Sequence, residues 1–138
     1  MIERRLAAIL NADVVGYSRL MADDEVATLE ALQATWILLD AIILQYGGRV
    51  VDKVGDNLLA EFPSAVAAVQ GAVEIQHQLA AVNSDISPNR RMLLRIGLNL
   101  GDLIVDEERI VGDGVNVAAR VQASASPGGV SISSTIMD

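Results

Sequence analysis

The sequence predicts an α+β fold, a ferredoxin-like βαββαβ sandwich in which an antiparallel sheet carries both helices on one face. Three observations predict it. Apolar runs of strand length and two longer helical segments follow one another as strand, helix, strand, strand, helix, strand. The two middle strands are separated only by a turn built on Gly-Asp, which makes them a hairpin. The chain has 138 residues, of which 51% are hydrophobic, enough for one domain around a single core.

The elements follow in order. "RRLAAILNADVVGYS", residues 4–18, is an apolar run interrupted by Asp13 and closed by Gly16; it reads as a buried strand that delivers Asp13 to its end. "ADDEVATLEALQATWILLDAIILQYGG", residues 22–48, reads as a long helix, with Asp23 or Asp24 as the cap and Gly47-Gly48 as the stop. Its stretch "TWILLDAIIL" is apolar nearly all round, with Asp40 its only charge. That pattern fits either a helix buried in the core or one that offers a patch to a partner or second copy. Residues 49–53 and 57–62 form the hairpin around Val54-Gly55-Asp56, ended by Pro63. Side chains alternate along a strand, so Lys53 is expected to face away from Asp52, and nothing in the sequence requires a bulge there. "SAVAAVQGAVEIQHQLAAVNS" is the second helix, capped by Ser64, with Val66, Val69, Val73, Ile75 and Leu79 along its buried side. "SDISPNRR" is a polar loop, and "MLLRIGLNLGDLIVD" is a long strand or a strand pair. Glu107 and Glu108 are expected on a solvated turn, residues 115–122 in a short helix, and "VSISS" in a final strand after the turn "SPGG".

The formal net charge of -8 argues against a nucleic-acid partner, which calls for a basic face. It leaves nucleotides open, because local donors and a bound cation can hold a triphosphate. The absence of cysteine excludes disulfides and thiolate chemistry. The N-terminal apolar run is short and meets Asp13, so no signal peptide is expected. No stretch is expected to reach the roughly 18 apolar residues that span a bilayer, which makes the cytoplasm the default location and membrane insertion of this segment unexpected.

Two acids stand out by position. Asp13 sits in an apolar strand with no cation at strand spacing nearby, and an ionised carboxylate there needs a partner. A divalent metal would supply one, since Mg²⁺ takes few protein carboxylates and completes its shell with phosphate oxygens and water. In a ferredoxin-like sheet the first strand and the middle hairpin can be neighbours, which makes Asp13 and Asp56 a candidate ligand pair; taken singly, each reads as a strand end and a turn. After Asp13, the backbone N–H groups of Gly16, Tyr17 and Ser18 could cradle phosphate oxygens. Farther on, Asn116 and Arg120 are four apart and share one helix face, an arrangement suited to negative charge developing on a phosphate and equally to an ordinary polar face.

Together, "ILNADVVGYSRLM", "GGRVVDKVGDNLLAEF", "RIGLNLGDLIVD" and "VGDGVNVAARVQ" resemble the successive signatures of the class III nucleotide cyclase catalytic domain, the adenylate and guanylate cyclase family. The resemblance runs from about residue 5 to the end of the chain, with the motifs in the right order. It implies a head-to-tail homodimer with active sites at the interface. It implies two divalent cations, Mg²⁺ or Mn²⁺, on Asp13 and Asp56 with help from the Val14 carbonyl. From the partner chain, Asn116 would position the ribose and Arg120 would stabilise the transition state. The product would be a 3′,5′-cyclic nucleotide made from ATP or GTP, with pyrophosphate released, in signalling.

The chain departs from the family pattern in two places that bear on the substrate. Adenylate cyclases of the family usually carry Lys four residues before the second metal aspartate, and Asp or Thr seven residues before the ribose-positioning Asn. Here those positions hold Asp52 and Arg109, so both have changed sign. Asp52 could accept from guanine N1–H and N2–H₂ while Arg109 donates to O6 or N7. Alternatively the two pair with each other and fill the base pocket, leaving a weak or silent cyclase-like module kept for dimerisation or regulation. The family domain also continues past "VSISSTIMD" with further strands, so the chain is expected to lack those C-terminal strands.

Overall fold

The strand that carries Asp13 becomes the centre of the sheet. In the computed structural model, which describes residues 2–106 and 109–137, β1 spans Ile2–Val14 and pairs antiparallel with β3 (Asn57–Phe62) on one side and β4 (Leu94–Asp106) on the other. The expected turn at Glu107 and Glu108 lies outside the described residues. β2 (Arg49–Val54) flanks β3 and β5 (Arg109–Val111) flanks β4, giving the order β2-β3-β1-β4-β5, while β6 (Val130–Ile132) runs parallel to β4. The segment read as a strand or strand pair is one continuous strand, β4.

Period-two alternation assigns the two faces of this sheet. Ala8, Leu10, Ala12 and Val14 of β1 point to one face, with Leu58, Ala60, Phe62, Leu94, Ile96 and Leu98. Against them pack α2 (Glu25–Gln45) and α3 (Ala65–Asn83), the two helices of the expected sandwich. Leu10, Leu58 and Leu98 are wholly buried there, and truncating any one to Ala would cost about 2–5 kcal/mol. Ala7 and Ile9 point to the opposite face and meet Leu103, Val105, Ile110 and Ala118, the last on α4 (Asp113–Ala123). This second, smaller core belongs to a concave face. The sheet curls so that its two edge strands, β2 and β5, line one cavity across it.

Local chemistry sets the helix bounds. The Asp24 carboxylate accepts from the Ala27 N–H at 3.0 Å and caps α2, as the sequence suggested for Asp23 or Asp24. Asp24 itself is extended, and this separates α2 from a short α1 (Tyr17–Asp23). The Ser64 hydroxyl accepts from the Ala67 N–H at 3.0 Å and caps α3. The buried row of α3 is Ala68, Ala72, Ile75 and Leu79, whereas Val66 and Val73 are exposed, contrary to expectation. Small residues in that row let the helix approach the sheet closely: a Cβ on Gly71 would already lie 3.4 Å from the Phe62 ring.

α2 also overturns the expectation that no segment is long and apolar enough to cross a membrane; by length and composition this 21-residue helix is. It lies along the sheet, burying Thr28, Leu32, Thr35, Trp36, Leu39, Ile42 and Ile43. The helix is buried on one side only, and Val26, Leu29, Ile37 and Leu44 face outward.

Candidate active site

Asp13 ends β1 on the concave face, opposite Asn57 of β3. Asp56 occupies the β2–β3 turn, where Gly55 at φ 59° supplies the left-handed conformation a two-residue turn requires. The Val14 N–H donates to the Asp56 carbonyl at 3.3 Å, which ties the turn to the end of β1. The Asp13 and Asp56 carboxyls then lie within hydrogen-bonding reach of each other. Burial, followed by the hydrogen bond and charge of Asp56, pushes the Asp13 carboxyl up to about 6, although the Val14 N–H and the Asn57 side chain favour its ionised form. Asn57 is itself held by a reciprocal amide pair with Asn11, at 3.1 and 3.4 Å.

No cation neutralises these acids among the described residues. The cross-strand neighbour of Asp13 on β4 is Arg95, but its Nε donates to the Ala125 carbonyl at 2.9 Å. Two crowded carboxylates with only neutral amide donors around them form an all-oxygen set that fits a hard divalent cation. Among the described residues no third acidic or imidazole side chain joins them, so such a cation would take its remaining ligands from backbone, phosphate and water. The Val14 side chain is buried toward α2 and α3, which leaves only its backbone for the site.

Beyond Asp13, Gly16 at φ 64° starts α1. The first intrahelical bond is from the Leu20 N–H to the Gly16 carbonyl, at 3.1 Å. The N–H groups of Tyr17 and Ser18 precede it and have no partner within the helix. The Tyr17 ring packs on the main core, so this residue presents its backbone alone.

Asp52 and Arg109 share a cavity of about 460 Å³ on the concave face, walled by Val51, Leu59, Ile110 and Val111. That volume lies within the range of small-molecule sites. No hydrogen bond or ion pair joins the two among the described residues, so they do not close the pocket on each other. A bulge that nothing in the sequence required is present. The pairing shifts between Val50 and Asp52, so Asp52 lies opposite Leu59 and Lys53 opposite Leu58. Lys53 faces away from Asp52, as expected, and its Nζ bonds Asp40 Oδ2 of α2 at 2.8 Å.

Asn116 and Arg120 are exposed on the outer side of α4. The inner side is Gly114, Ala118 and Gln122, and residues two further along the helix project to the opposite side. The seam beneath is nearly bare backbone. A Cβ on Gly97 would sit 2.2 Å from the Gln122 nitrogen, and one on Gly114 2.8 Å from the Asp102 carbonyl oxygen. Asn99, buried, donates to the Gly114 carbonyl at 3.0 Å and pins the start of the helix. Within one chain the fold therefore joins Asp13 to Asp56 and Asp52 to Arg109. It leaves Asn116 and Arg120 facing outward, with no bond to the aspartates among the described residues.

Sequence reasoning passed over Asn11 and Asn57. Period two was the available signal, since Asn11 shares its face with Asp13 and Asn57 follows Asp56 directly. Glu61 was missed as well. It is a buried acid on β3 whose Oε1 takes Arg5 and Arg49, the latter at 2.6 Å.

The family model of the adenylate and guanylate cyclase catalytic domain matches residues 3–138. The chain belongs to that family. The cyclase domain is 52% identical over 136 residues to "Putative adenylate cyclase 3" of Rhizobium meliloti (strain 1021), covering 98% of this chain and 23% of the relative. It thus spans about a quarter of that protein's length. Among solved structures, the adenylate/guanylate cyclase/hydrolase from Silicibacter pomeroyi superposes on the cyclase domain with a TM-score of 0.92 at 42% identity, covering 99% of this chain and 80% of that one. The guanylyl cyclase Cya2 superposes with a TM-score of 0.86 at 25% identity, over 98% of this chain and 78% of that one.

Proposed function

We propose that the domain converts a purine nucleoside triphosphate into its 3′,5′-cyclic monophosphate and pyrophosphate for signalling, at sites formed between two copies of the chain. The observation that carries this reading is the facing Asp13–Asp56 pair, which has no neutralising cation among the described residues. In the reaction the ribose 3′-oxygen bonds to the α-phosphorus. The bond from that phosphorus to the oxygen bridging the β-phosphate breaks, and the hydroxyl proton passes to solvent. Mg²⁺ or Mn²⁺ held by Asp13, Asp56 and the Val14 carbonyl would acidify the hydroxyl and offset the charge of the departing pyrophosphate.

The chain's own groups bind and orient. The N–H groups of Gly16, Tyr17 and Ser18 lie just past Asp13 in the chain and suit phosphate oxygens. Asn116 offers a donor and an acceptor to the ribose, and Arg120 donates to the α-phosphate as charge accumulates there. Both project from the exposed side of α4, so they suit the aspartates of a partner rather than their own, and two-fold pairing creates two equal sites. Nucleoside triphosphates place this reaction in the cytoplasm.

The test is to incubate the domain with ATP or GTP and Mn²⁺ and to separate the products by chromatography. Asp13→Ala and Arg120→Ala are each expected to be inactive alone, and mixing them should restore part of the activity, because a mixed dimer retains one intact site. No cyclic product from either nucleotide would sink the reading and leave a dimerisation or regulatory module.

A further inference from the structure

We infer that the cavity between α2 and α3, on the helix side of the sheet, is a binding site for a small apolar carboxylate. It measures about 220 Å³ and lies away from the concave face that carries Asp13 and Asp52, so the inference stands apart from the cyclase reading. The gap has a cause in the sequence. α2 presents only Ala31 and Ala34 where it passes the C-terminal half of α3, and larger side chains there would fill the space. Leu38, Leu79, Val82, Ile86 and Met92 supply apolar walls. An apolar cavity of about 150 Å³ takes one benzene ring, so this one suits a body of roughly eight or nine carbons.

Among the described residues the lining holds one charged group, Arg90. Half-buried at the end of the turn Pro88–Arg90, it donates from Nη1 to the Leu20 carbonyl at 3.2 Å and from Nη2 to the Thr28 hydroxyl at 2.9 Å. Both acceptors are neutral, and no acid pairs with Arg90 among the described residues. A guanidinium has five N–H donors, so these two bonds hold it in place and leave its charge unanswered. Two other polar groups of the lining are turned to backbone. Thr35 donates to the Ala31 carbonyl at 2.8 Å, and Asn83 to the Met92 carbonyl at 3.1 Å. The cavity thus combines apolar walls with a single fixed cation. A carboxylate would meet the guanidinium with two parallel bonds while its apolar body leaves water for the walls. A neutral molecule would leave the cation unanswered, and an ammonium would be repelled.

NMR titration of the domain with isotope-labelled methionine methyl groups tests this with octanoate, octanol and octylammonium, in the absence of nucleotide. Met92 is buried against the cavity, and Met92→Leu identifies its signal. Octanoate should shift that signal in a saturable way, octanol should bind about tenfold more weakly, and octylammonium more weakly still. Arg90→Gln should bring octanoate down to the affinity of octanol. If that variant fails to fold because Leu20 and Thr28 lose their partner, octanoate against octanol on the parent domain reads the same charge. Equal affinities for octanoate and octanol overturn the inference, as does a Met92 signal that octanoate leaves unmoved. Either result leaves the cyclase reading standing, since that reading is tested by turnover.

Discussion

Two acid clusters lie on the same concave face of the sheet, at opposite ends of β1 and β3, and the chain treats them differently. Glu61 is buried and gathers Arg5 and Arg49 on one oxygen, so its charge is answered from within the fold. Among the described residues Asp13 and Asp56 are brought together with amide donors, and the guanidinium of the neighbouring Arg95 is committed to a backbone carbonyl. The first arrangement balances its charge from within, although Glu61 Oε2 is buried without a hydrogen-bond partner among the described residues. The second raises the proton affinity of Asp13 and would be relieved by a bound cation. The contrast separates a carboxylate that holds the fold from a pair that is suited to work.

The comparison breaks first at the unneutralised end. Asp13→Ala or Asp56→Ala should lower cyclic-nucleotide formation by at least about a hundredfold, as removal of a group that stabilises developing charge does. The same variants should unfold no earlier than the parent in metal-free buffer, and a large drop in the melting temperature would erase the distinction between the clusters. Next in size, Glu61→Gln should destabilise the domain by about 3 kcal/mol in urea titrations, the lower end for removing a buried partner, because both guanidinium groups keep some contact with water.

A pH series sharpens the contrast. Asp13 holds its proton more tightly in the folded state, about 6 against 3.8 for the free group. The folded state therefore binds more protons in that window, and stability of the metal-free domain should fall as pH rises from about 4 through about 6. Asp56→Asn should flatten that slope and Glu61→Gln should not, as chemical denaturation at each pH would report. Smallest of all, Lys53→Ala should cost about 0.5 kcal/mol, since its bond to Asp40 joins two partly exposed side chains.

Much of this architecture was legible in the residues. The order of elements, the Ser64 cap and the adjacency of Asp13 and Asp56 followed from period, turn chemistry and the logic of an antiparallel sandwich. Other features were hidden for identifiable reasons. The buried row of α3 contains Ala68, Gly71 and Ala72, whose smallness masks their burial from a hydrophobicity pattern that favours Val66 and Val73. The bulge at Val51 leaves no mark on composition, because it depends on pairing with a strand whose register is set across the sheet. Glu61 reads as a surface acid until Arg5, distant in sequence, is folded beside it. The roles of Asn116 and Arg120 came from resemblance rather than spacing, and their exposure on one chain fits groups that would act on another.

The glycine seam under α4 carries a mechanical consequence. Side chains between a helix and a sheet act as a compliant layer, changing rotamer to absorb small displacements. Between α4 and β4 that layer is missing at Gly97, Gly101 and Gly114, where backbone meets backbone. Strand and helix are therefore coupled without a compliant layer, so a tilt of β4 would be passed directly to Asn116 and Arg120.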